Sequence, residues 1–409
     1  TEPPSSSRST TPSQFHIRKM LTRVLVAAFV ASLASANVHT VEGDVLVDDA
    51  IEGRRFARQA EVGKKWKQFP IPISFQSGYP DKQKDSAIAG MKEWEKYTCV
   101  RFNLGDASSA NRIVIVNGGS CQSYVGQNGG VQTVILGPAC NGVSSSSHEL
   151  GHAIGLQHTQ TRADRDQYIN IDKTNLNTGL YNLNFKVEPT ASTMDIPYDW
   201  ASIMHYQPKD FAIYPSRPVI TPKQHADLFS VNMGNYQLSF YDIARVNRMY
   251  NCYDKCSSRV SCSNNGVQDV NNCNQCLCPP GWGGATCSQN PPSARALTAT
   301  ASEQRQEGKV GRTEDDQRIR YDIQDFVVTA PAGKRILIKV DYVWTGEMGL
   351  GCKMGGIEIF TKTDTRIGGA RVCKMEERAA SYTTEGNRAY VRVYGRFSQT
   401  SATFTYRAV

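Results

Sequence analysis

The chain has 409 residues, 40% of them hydrophobic, and 46 basic against 38 acidic side chains give it a formal net charge of +8. That length allows two or three domains, and that hydrophobic content can support packed cores. The basic residues are interspersed with acidic ones without a long basic run, so we expect a solvated, mildly basic surface and no nucleic-acid partner.

The first 36 residues resemble a leader rather than a folded domain. Residues 1–19 are rich in Ser, Thr and Pro, and we expect a disordered leader or an extension of the gene model. Residues 20–36, "MLTRVLVAAFVASLASA", combine Arg23, an apolar run and a small-x-small end, which is typical of a signal peptide. The apolar run is too short to span a membrane. The sequence therefore predicts a secreted protein with no membrane span.

Residues 37–58 form a short segment that we interpret as a prosegment. It contains "VEGDVLVDDA" and no cysteine, and it ends in "GRRFAR". Phe56 and Gln59 are therefore the two candidate mature N-termini, and an activating trypsin-like protease is an expected partner. The arginines that such a protease could recognise are Arg54, Arg55 and Arg58.

Strands and one helix are predicted between residues 68 and 140. The runs "IPISF", "NRIVIVNGG" and "VQTVILG" are β-branched and bounded by Gly, Pro or Asn, which indicates strands. In "KDSAIAGMKEWEKYT", Ile88, Met91 and Trp94 lie at helical spacing.

The stretch "HELGHAIGLQH" then has the spacing of a metal site. His148 and His152 are four residues apart, so a helix places them on one face, where both rings can bind one ion. Glu149 lies about 100° around that helix, where a general base can reach the open side of the ion. Because Gly155 can end the helix, the chain can turn and return His158 to the same ion.

Three histidines with one open position are typical of a catalytic zinc site rather than a closed structural one. The pentapeptide H-E-x-x-H by itself also occurs by chance on polar helices. The third histidine and the intervening glycine favour the catalytic interpretation.

These residues resemble the astacin branch of the metzincin metalloproteases. "HELGHAIGLQH" fits the extended metzincin pattern, "SIMHY" resembles the Met-turn around Met204, and "RADRDQYI" resembles astacins in particular. Further astacin-like stretches follow in order, so that the resemblance covers about residues 68–252: "IPISF", "TCVRF", "SCQSYVGQNGGVQ" and "LSFYDIARVNRMYNC".

The resemblance implies an α+β catalytic domain over residues 59–253, with a mixed sheet, an active-site helix and a mostly irregular second half. Twelve cysteines in a secreted chain suggest six disulfides. For this domain the resemblance implies the pairs Cys99–Cys252 and Cys121–Cys140.

Astacin-like prosegments carry an aspartate that occupies the water position on zinc, and here Asp44 in Val41-Glu42-Gly43-Asp44 corresponds to it. Valine replaces the usual phenylalanine of that motif. The alternative is an acidic linker in which Asp44 has no special role.

Residues 254–288 contain six cysteines, whose spacing alone leaves 15 pairings open. They resemble an EGF-like module, a rigid spacer without a calcium site, and the resemblance selects three pairs. Residues 289–317 are expected to be a linker. Residues 318–409 alternate like short strands, which suggests a β-sandwich that resembles a CUB domain and could bind proteins. The pairs implied in the two modules are Cys256–Cys273, Cys262–Cys276, Cys278–Cys287 and Cys352–Cys373.

The resemblance implies hydrolysis of peptide bonds by a zinc-activated water. His148, His152 and His158 hold the zinc, and Glu149 acts as base and then as acid. Tyr206 matches a family tyrosine that binds zinc at rest and later stabilises the oxyanion. Thr159 stands where the family usually has a glutamate that meets the freed N-terminus, and its hydroxyl cannot form that charge pair.

The leading hypothesis is a secreted zinc endopeptidase made as a zymogen and acting on matrix, cuticle, egg-envelope or other extracellular proteins. A matrix or receptor-binding protein without catalysis is the alternative from another class. That alternative predicts damage to the zinc ligands or to the base, and the sequence has none.

Overall fold

A computed structural model describes residues 38–42, 44–48, 65–188, 192–313, 317–346, 350–374 and 380–409. The predicted leader and signal peptide, the arginines at the end of the prosegment and both candidate N-termini lie outside these residues. The packing divides the chain into two units, residues 1–40 with 47–57, and residues 41–46 with 58–409. In the first unit only residues 38–40 and 47–48, which are extended, are described. The second unit contains all the other described residues.

Five helices and twenty strands lie within the described residues. The helices are α1 (Asp81–Tyr97), α2 (Val143–Ala153), α3 (Thr178–Asn184), α4 (Ala226–Phe229) and α5 (Phe240–Met249). The first eleven strands are β1 (Val38–Glu42), β2 (Val45–Asp48), β3 (Ile71–Phe75), β4 (Phe102–Leu104), β5 (Arg112–Val116), β6 (Cys121–Ser123), β7 (Val131–Leu136), β8 (Ile169–Ile171), β9 (Ile220–Pro222), β10 (Val267–Gln268) and β11 (Cys276–Leu277). The last nine strands are β12 (Arg295–Thr298), β13 (Gln304–Gly311), β14 (Gln317–Thr329), β15 (Ile336–Thr345), β16 (Gly355–Phe360), β17 (Ala370–Val372), β18 (Ser381–Thr383), β19 (Arg388–Phe397) and β20 (Gln399–Ala408).

The N-terminal sheet is mixed, with its strands in the order β2-β6-β7-β5-β3-β4. Neighbouring strands run parallel except β6 and β7, which are antiparallel. In β5 the side chains of Ile113 and Ile115 are fully buried while their neighbours are half-buried, the alternation expected when one face covers a core.

Helix α1 packs closely against α2, the helix that carries the metal motif. The Trp94 Nε1–H donates to the Ser147 carbonyl (2.9 Å). A Cβ atom on Gly90 would lie 2.8 Å from backbone and side-chain carbons of Ser146, so the two backbones approach where no side chain intervenes. The helix is present as predicted; Met91 and Trp94 are buried in it and Ile88 is partly buried, while the smaller Ala87 and Gly90 are buried beside them.

The prediction that residues 289–317 are a linker was wrong. Within that segment, β12 pairs in parallel with β14, and β13 pairs antiparallel with β20 along eight residues. The pattern in β13 had hidden the strand, because most side chains of "QRQEGKVG" are polar and the strand lies at a sheet edge.

The C-terminal region is a sandwich of two sheets, ordered β12-β14-β19-β16-β17 and β13-β20-β15-β18. Side chains of both sheets fill one core, in which the rings of Phe326 and Phe404 lie 5.6 Å apart. Before it, residues 254–288 contain the two-stranded sheet β10–β11 and three disulfides. The CUB-like and EGF-like assignments of these two regions remain predictions.

Six disulfides join all twelve cysteines. Cys99–Cys252 closes a sequence separation of 153 residues and connects the end of α1 to the end of α5. The other pairs are Cys121–Cys140, Cys256–Cys273, Cys262–Cys276, Cys278–Cys287 and Cys352–Cys373. Within the described residues, no helix is long and apolar enough to cross a membrane.

Candidate metal centre and active site

Helix α2 carries the first two histidines, and the chain turns back sharply after it. The helix ends at Ala153, and Gly155 takes a φ of 110°, a backbone conformation that favours glycine. This turn brings His158 to the side of His152, with their Nε2 atoms 3.2 Å apart. The predicted end of the helix at this glycine is therefore present.

Four side chains converge at this point: Asp44, His148, His152 and His158. One potential ligand atom from each lies within 4.8 Å of the others. Asp44 Oδ2 is 3.0 Å from His148 Nε2, and Asp44 Oδ1 is 3.0 Å from His158 Nε2 and 3.8 Å from His152 Nε2. The carboxylate of Asp44 thus lies among the three imidazoles.

The imidazoles are oriented as metal ligands. His148 Nδ1 lies 2.7 Å from the Ile203 carbonyl and His152 Nδ1 lies 2.7 Å from the Leu156 carbonyl, so each Nδ1 carries the proton and donates it. Each Nε2 then presents a lone pair to the centre. Burial, reinforced by the charges of His158 and His148, holds the pKa of His152 well below its ordinary value, which favours the neutral form that metals bind.

The donor set fits one zinc ion. Imidazole nitrogens and a carboxylate oxygen are ligands that zinc accepts in a four-coordinate site. Two Nε2 lone pairs that face each other at 3.2 Å repel unless a cation or a proton lies between them. The residues present therefore suit zinc, with His148, His152, His158 and Asp44 as the groups that would hold it.

Comparison with known proteins identifies the fold that carries this centre. The family model for astacin, which describes a family of peptidases, matches residues 58–251. The chain is 32% identical over 371 residues to zinc metalloproteinase nas-25 of Caenorhabditis elegans, an alignment that covers 87% of this chain and 92% of nas-25. The chain belongs to the astacin family.

Two further proteins show how far the similarity extends. Zinc metalloproteinase nas-31 of C. elegans is 33% identical over 77% of this chain, but the match covers only 52% of nas-31. The high choriolytic enzyme 1 of medaka fish, a hatching-enzyme zinc protease, is 33% identical and covers 46% of this chain and 94% of its own, with a TM-score of 0.42. The chain thus spans about half the length of nas-31.

The segment around Met204, the predicted Met-turn, packs against the metal-binding helix α2. Met204 is buried, and a Cβ atom on Gly151 would lie 2.8 Å from its Sδ. The Met204 carbonyl accepts a hydrogen bond from the Thr159 N–H (3.0 Å). The Ile203 carbonyl also accepts a hydrogen bond from His148. The turn therefore contacts His148 directly, and it contacts the residues next to His152 and His158.

Glu149 lies in the same cleft as the histidines and is buried. Its Oε2 has no hydrogen-bond partner among the described residues. Burial raises the pKa of Glu149 well above its ordinary value, the negative charge of Asp44 raises it further, and the positive charge of Lys353 opposes the rise. A carboxyl group with an unpaired oxygen and a raised pKa is suited to proton transfer.

Tyr206 also lines the cleft, with its ring 4.5 Å from the ring of His158. Its hydroxyl lies 3.5 Å from Asn184 Oδ1, at the limit of a hydrogen bond. His205 makes a separate set of contacts, with Nε2 2.8 Å from the Tyr198 hydroxyl and Nδ1 2.7 Å from the Tyr206 carbonyl. Burial lowers the pKa of His205 to about 4.

Sequence reasoning missed the residue that fixes the Met-turn. The Asp242 carboxylate accepts hydrogen bonds from the Ser202 hydroxyl (2.6 Å), the Ile203 N–H (2.8 Å) and the Ser239 N–H (2.9 Å). Ser239 and Asp242 form the capping box of α5, and the sequence S-x-x-D was the signal that could have pointed to it. Asp210 and Lys353, which line the cleft, were missed as well.

Proposed function

We propose that this chain is a secreted zinc endopeptidase made as a zymogen, in which Asp44 blocks the metal centre until the prosegment is removed. The observation that supports this most directly is the position of Asp44, whose two carboxylate oxygens lie 3.0 Å from His148 and His158. Membership of the astacin family supports the metal and the reaction class.

Asp44 is held in the centre by charge and by the backbone around it. Burial by itself would raise the pKa of Asp44, but the adjacent His158 and His148 hold the pKa well below its ordinary value. The Asp44 carbonyl accepts a hydrogen bond from the Ser123 N–H (2.8 Å), and Val45 pairs with Ser123 in the sheet. A carboxylate fixed in this way occupies the position that a substrate carbonyl needs.

Cleavage after one of the arginines at the end of the prosegment would release Asp44 and open the cleft. Activation would therefore clear the centre.

Zinc bound by His148, His152 and His158 would supply a Lewis acid that polarises the scissile carbonyl. Glu149 accepts the proton of the attacking water and later donates it to the leaving amine. The Tyr206 hydroxyl can donate a hydrogen bond to the charge that develops on the carbonyl oxygen, once it leaves Asn184.

The substrates we propose are extracellular proteins such as matrix, cuticle or egg-envelope components. The six disulfides support folding in an oxidising compartment.

The test uses the chain harvested from the culture medium, assayed on a quenched-peptide library before and after brief trypsin treatment. We expect activity only after trypsin, and we expect a zinc chelator to remove it. Glu149→Gln keeps the size of the side chain and should lower kcat at least about 100-fold while zinc remains bound. Asp44→Ala should be active without trypsin.

Asp85→Ala is the matched control for Asp44→Ala, since Asp85 is an exposed acidic residue on α1. It should still need trypsin. Bound zinc without turnover after removal of the prosegment would contradict the proposal and favour the binding protein without catalysis.

A further inference from the structure

The C-terminal sandwich forms part of the active-site cleft. Lys353, which precedes β16, lines the cleft together with Glu149, Tyr206 and Asp210 from the astacin domain. Three observations bear on what this lysine does: how the sandwich is docked, how the backbone of Lys353 is held, and which charges surround its ammonium group.

The sandwich is docked on the astacin domain through buried and specific contacts. The rings of Tyr236 and Tyr394 stack with centroids 3.8 Å apart and planes 6° apart, and both side chains are buried. Arg371 donates to the Met233 carbonyl (2.9 Å), and its own carbonyl accepts from Asn232 (2.9 Å). Contacts of this kind fix one orientation of the sandwich on the astacin domain, because each buried polar group would lose its hydrogen-bond partner in any other orientation.

The backbone around Lys353 is fixed from both sides. The preceding residue, Cys352, is joined to Cys373, and its carbonyl accepts from the Tyr394 hydroxyl (2.8 Å). The Lys353 carbonyl accepts from the Tyr321 hydroxyl (2.6 Å). At Gly351, with a φ of 72°, a Cβ atom would lie 2.5 Å from side-chain atoms of Gln207, so this segment abuts the residue after Tyr206.

The charges around the cleft leave the ammonium group of Lys353 available. Among the described residues that line the cleft, Lys353 is the sole lysine or arginine, and the acidic groups are Asp44, Glu149 and Asp210. Within the described residues Lys353 forms no ion pair, and its side chain is exposed. Burial raises the pKa of Asp210, which weakens that residue as a permanent counter-charge.

We propose that Lys353 is a specificity-determining residue, through which the C-terminal sandwich selects substrates that place an acidic side chain beside the scissile bond. The inference rests on the proposed peptidase function. A lysine ammonium on a flexible stem can follow a carboxylate of either length, Asp or Glu. Release of Asp44 would leave the cleft with one fewer carboxylate to compete for it.

The experiment uses the trypsin-activated full chain and pairs of C-terminally amidated peptides that differ only by Asp against Asn at one position flanking the cleaved bond. Wild type should cleave the Asp peptide with kcat/KM about two- to fivefold higher at one position, the range of an exposed ion pair. Lys353→Gln should abolish that preference, and Lys353→Glu should reverse it. Lys334→Glu makes the same charge change on an exposed turn of the sandwich, outside the cleft, and should leave the preference as in wild type.

A binding measurement keeps the inference testable without turnover. With activated Glu149→Gln protein, the Kd of the two peptides should differ by the same ratio, and Lys353→Gln in that background should remove the difference. A matched peptide with a free C-terminus and no acidic side chain tests whether a terminal carboxylate is the true ligand. Tighter binding of that peptide than of the Asp peptide, or a Kd ratio that Lys353→Gln leaves unchanged, would overturn the inference. Loss of all turnover with the Kd ratio intact would refute the peptidase function alone.

Discussion

Gly151 lies in the last turn of α2, where it faces Met204 of the Met-turn. Replacing it with alanine therefore perturbs both the metal-binding helix and the Met-turn. The added Cβ atom would lie 2.8 Å from Met204 Sδ and 3.3 Å from Trp94 Cζ2. On an exposed helix, alanine in place of glycine would stabilise by about 0.5–1 kcal/mol. Overpacking a buried contact costs about 1–3 kcal/mol, so we expect net destabilisation of about 1–2 kcal/mol.

The effect should extend to the metal centre. Met204 accepts the hydrogen bond from Thr159, which directly follows His158, so a displaced Met204 shifts the third histidine. We expect weaker zinc binding, measured by competition with a chromogenic chelator, together with a lower urea midpoint.

Gly179→Ala is the matched control, because this helical glycine of α3 is exposed. The nearest atom to the added Cβ would be Asn177 Oδ1, at 3.3 Å. It should be neutral or slightly stabilising. Combining Gly151→Ala with Met204→Ala should cost less than the sum of the two single changes, because the truncated side chain removes the clash. Equal stability of Gly151→Ala and wild type, or strict additivity in the double variant, would refute this account of the contact.

Two further predictions concern the buried carboxyl groups behind the Met-turn. Asp242→Ala should destabilise by about 3 kcal/mol, because the buried Ile203 and Ser239 N–H groups lose their acceptor. Asp242→Asn should cost less, and equal urea midpoints for wild type and Asp242→Ala would count against this role. Burial, together with the charge of Asp242, raises the pKa of Asp199 to about 8 from its ordinary value of 3.8. The folded state then keeps a proton that the unfolded state has lost, so stability should fall as pH rises from about 4 to 8, by up to about 1.4 kcal/mol per pH unit. Asp199→Asn should flatten this dependence, and parallel urea midpoints for variant and wild type across pH 5–8 would contradict it.

Local sequence determined those features that depend on neighbours along the chain. The spacing of His148 and His152 fixes their common face on any helix, because the periodicity of the α-helix does not depend on what surrounds it. Gly155 ends the helix for a similar reason, since its φ of 110° favours a residue without a side chain. The alternating β-branched residues of β5 likewise give a strand with one buried face.

Sequence reasoning was less accurate for strands at sheet edges and for side chains whose burial depends on how two helices pack. The segment that forms β12 and β13 was predicted to be a linker, because exposed edge strands lack the apolar alternation on which a strand prediction depends. Helical spacing grouped Ile88 with Met91 and Trp94 but did not reveal the close approach of α1 and α2 at Gly90, where smaller residues are buried and Ile88 is only partly buried.

The sequence by itself determined the metal-binding motif, the family and most of the regular elements, because each rests on short-range spacing. Tertiary structure alone placed Lys353 in a cleft whose helix α2 lies about 200 positions earlier in the chain, and Asp242 behind the Met-turn. These contacts join residues far apart in sequence. No local pattern encodes them, since they depend on how whole helices and sheets pack and on which buried polar groups then find partners.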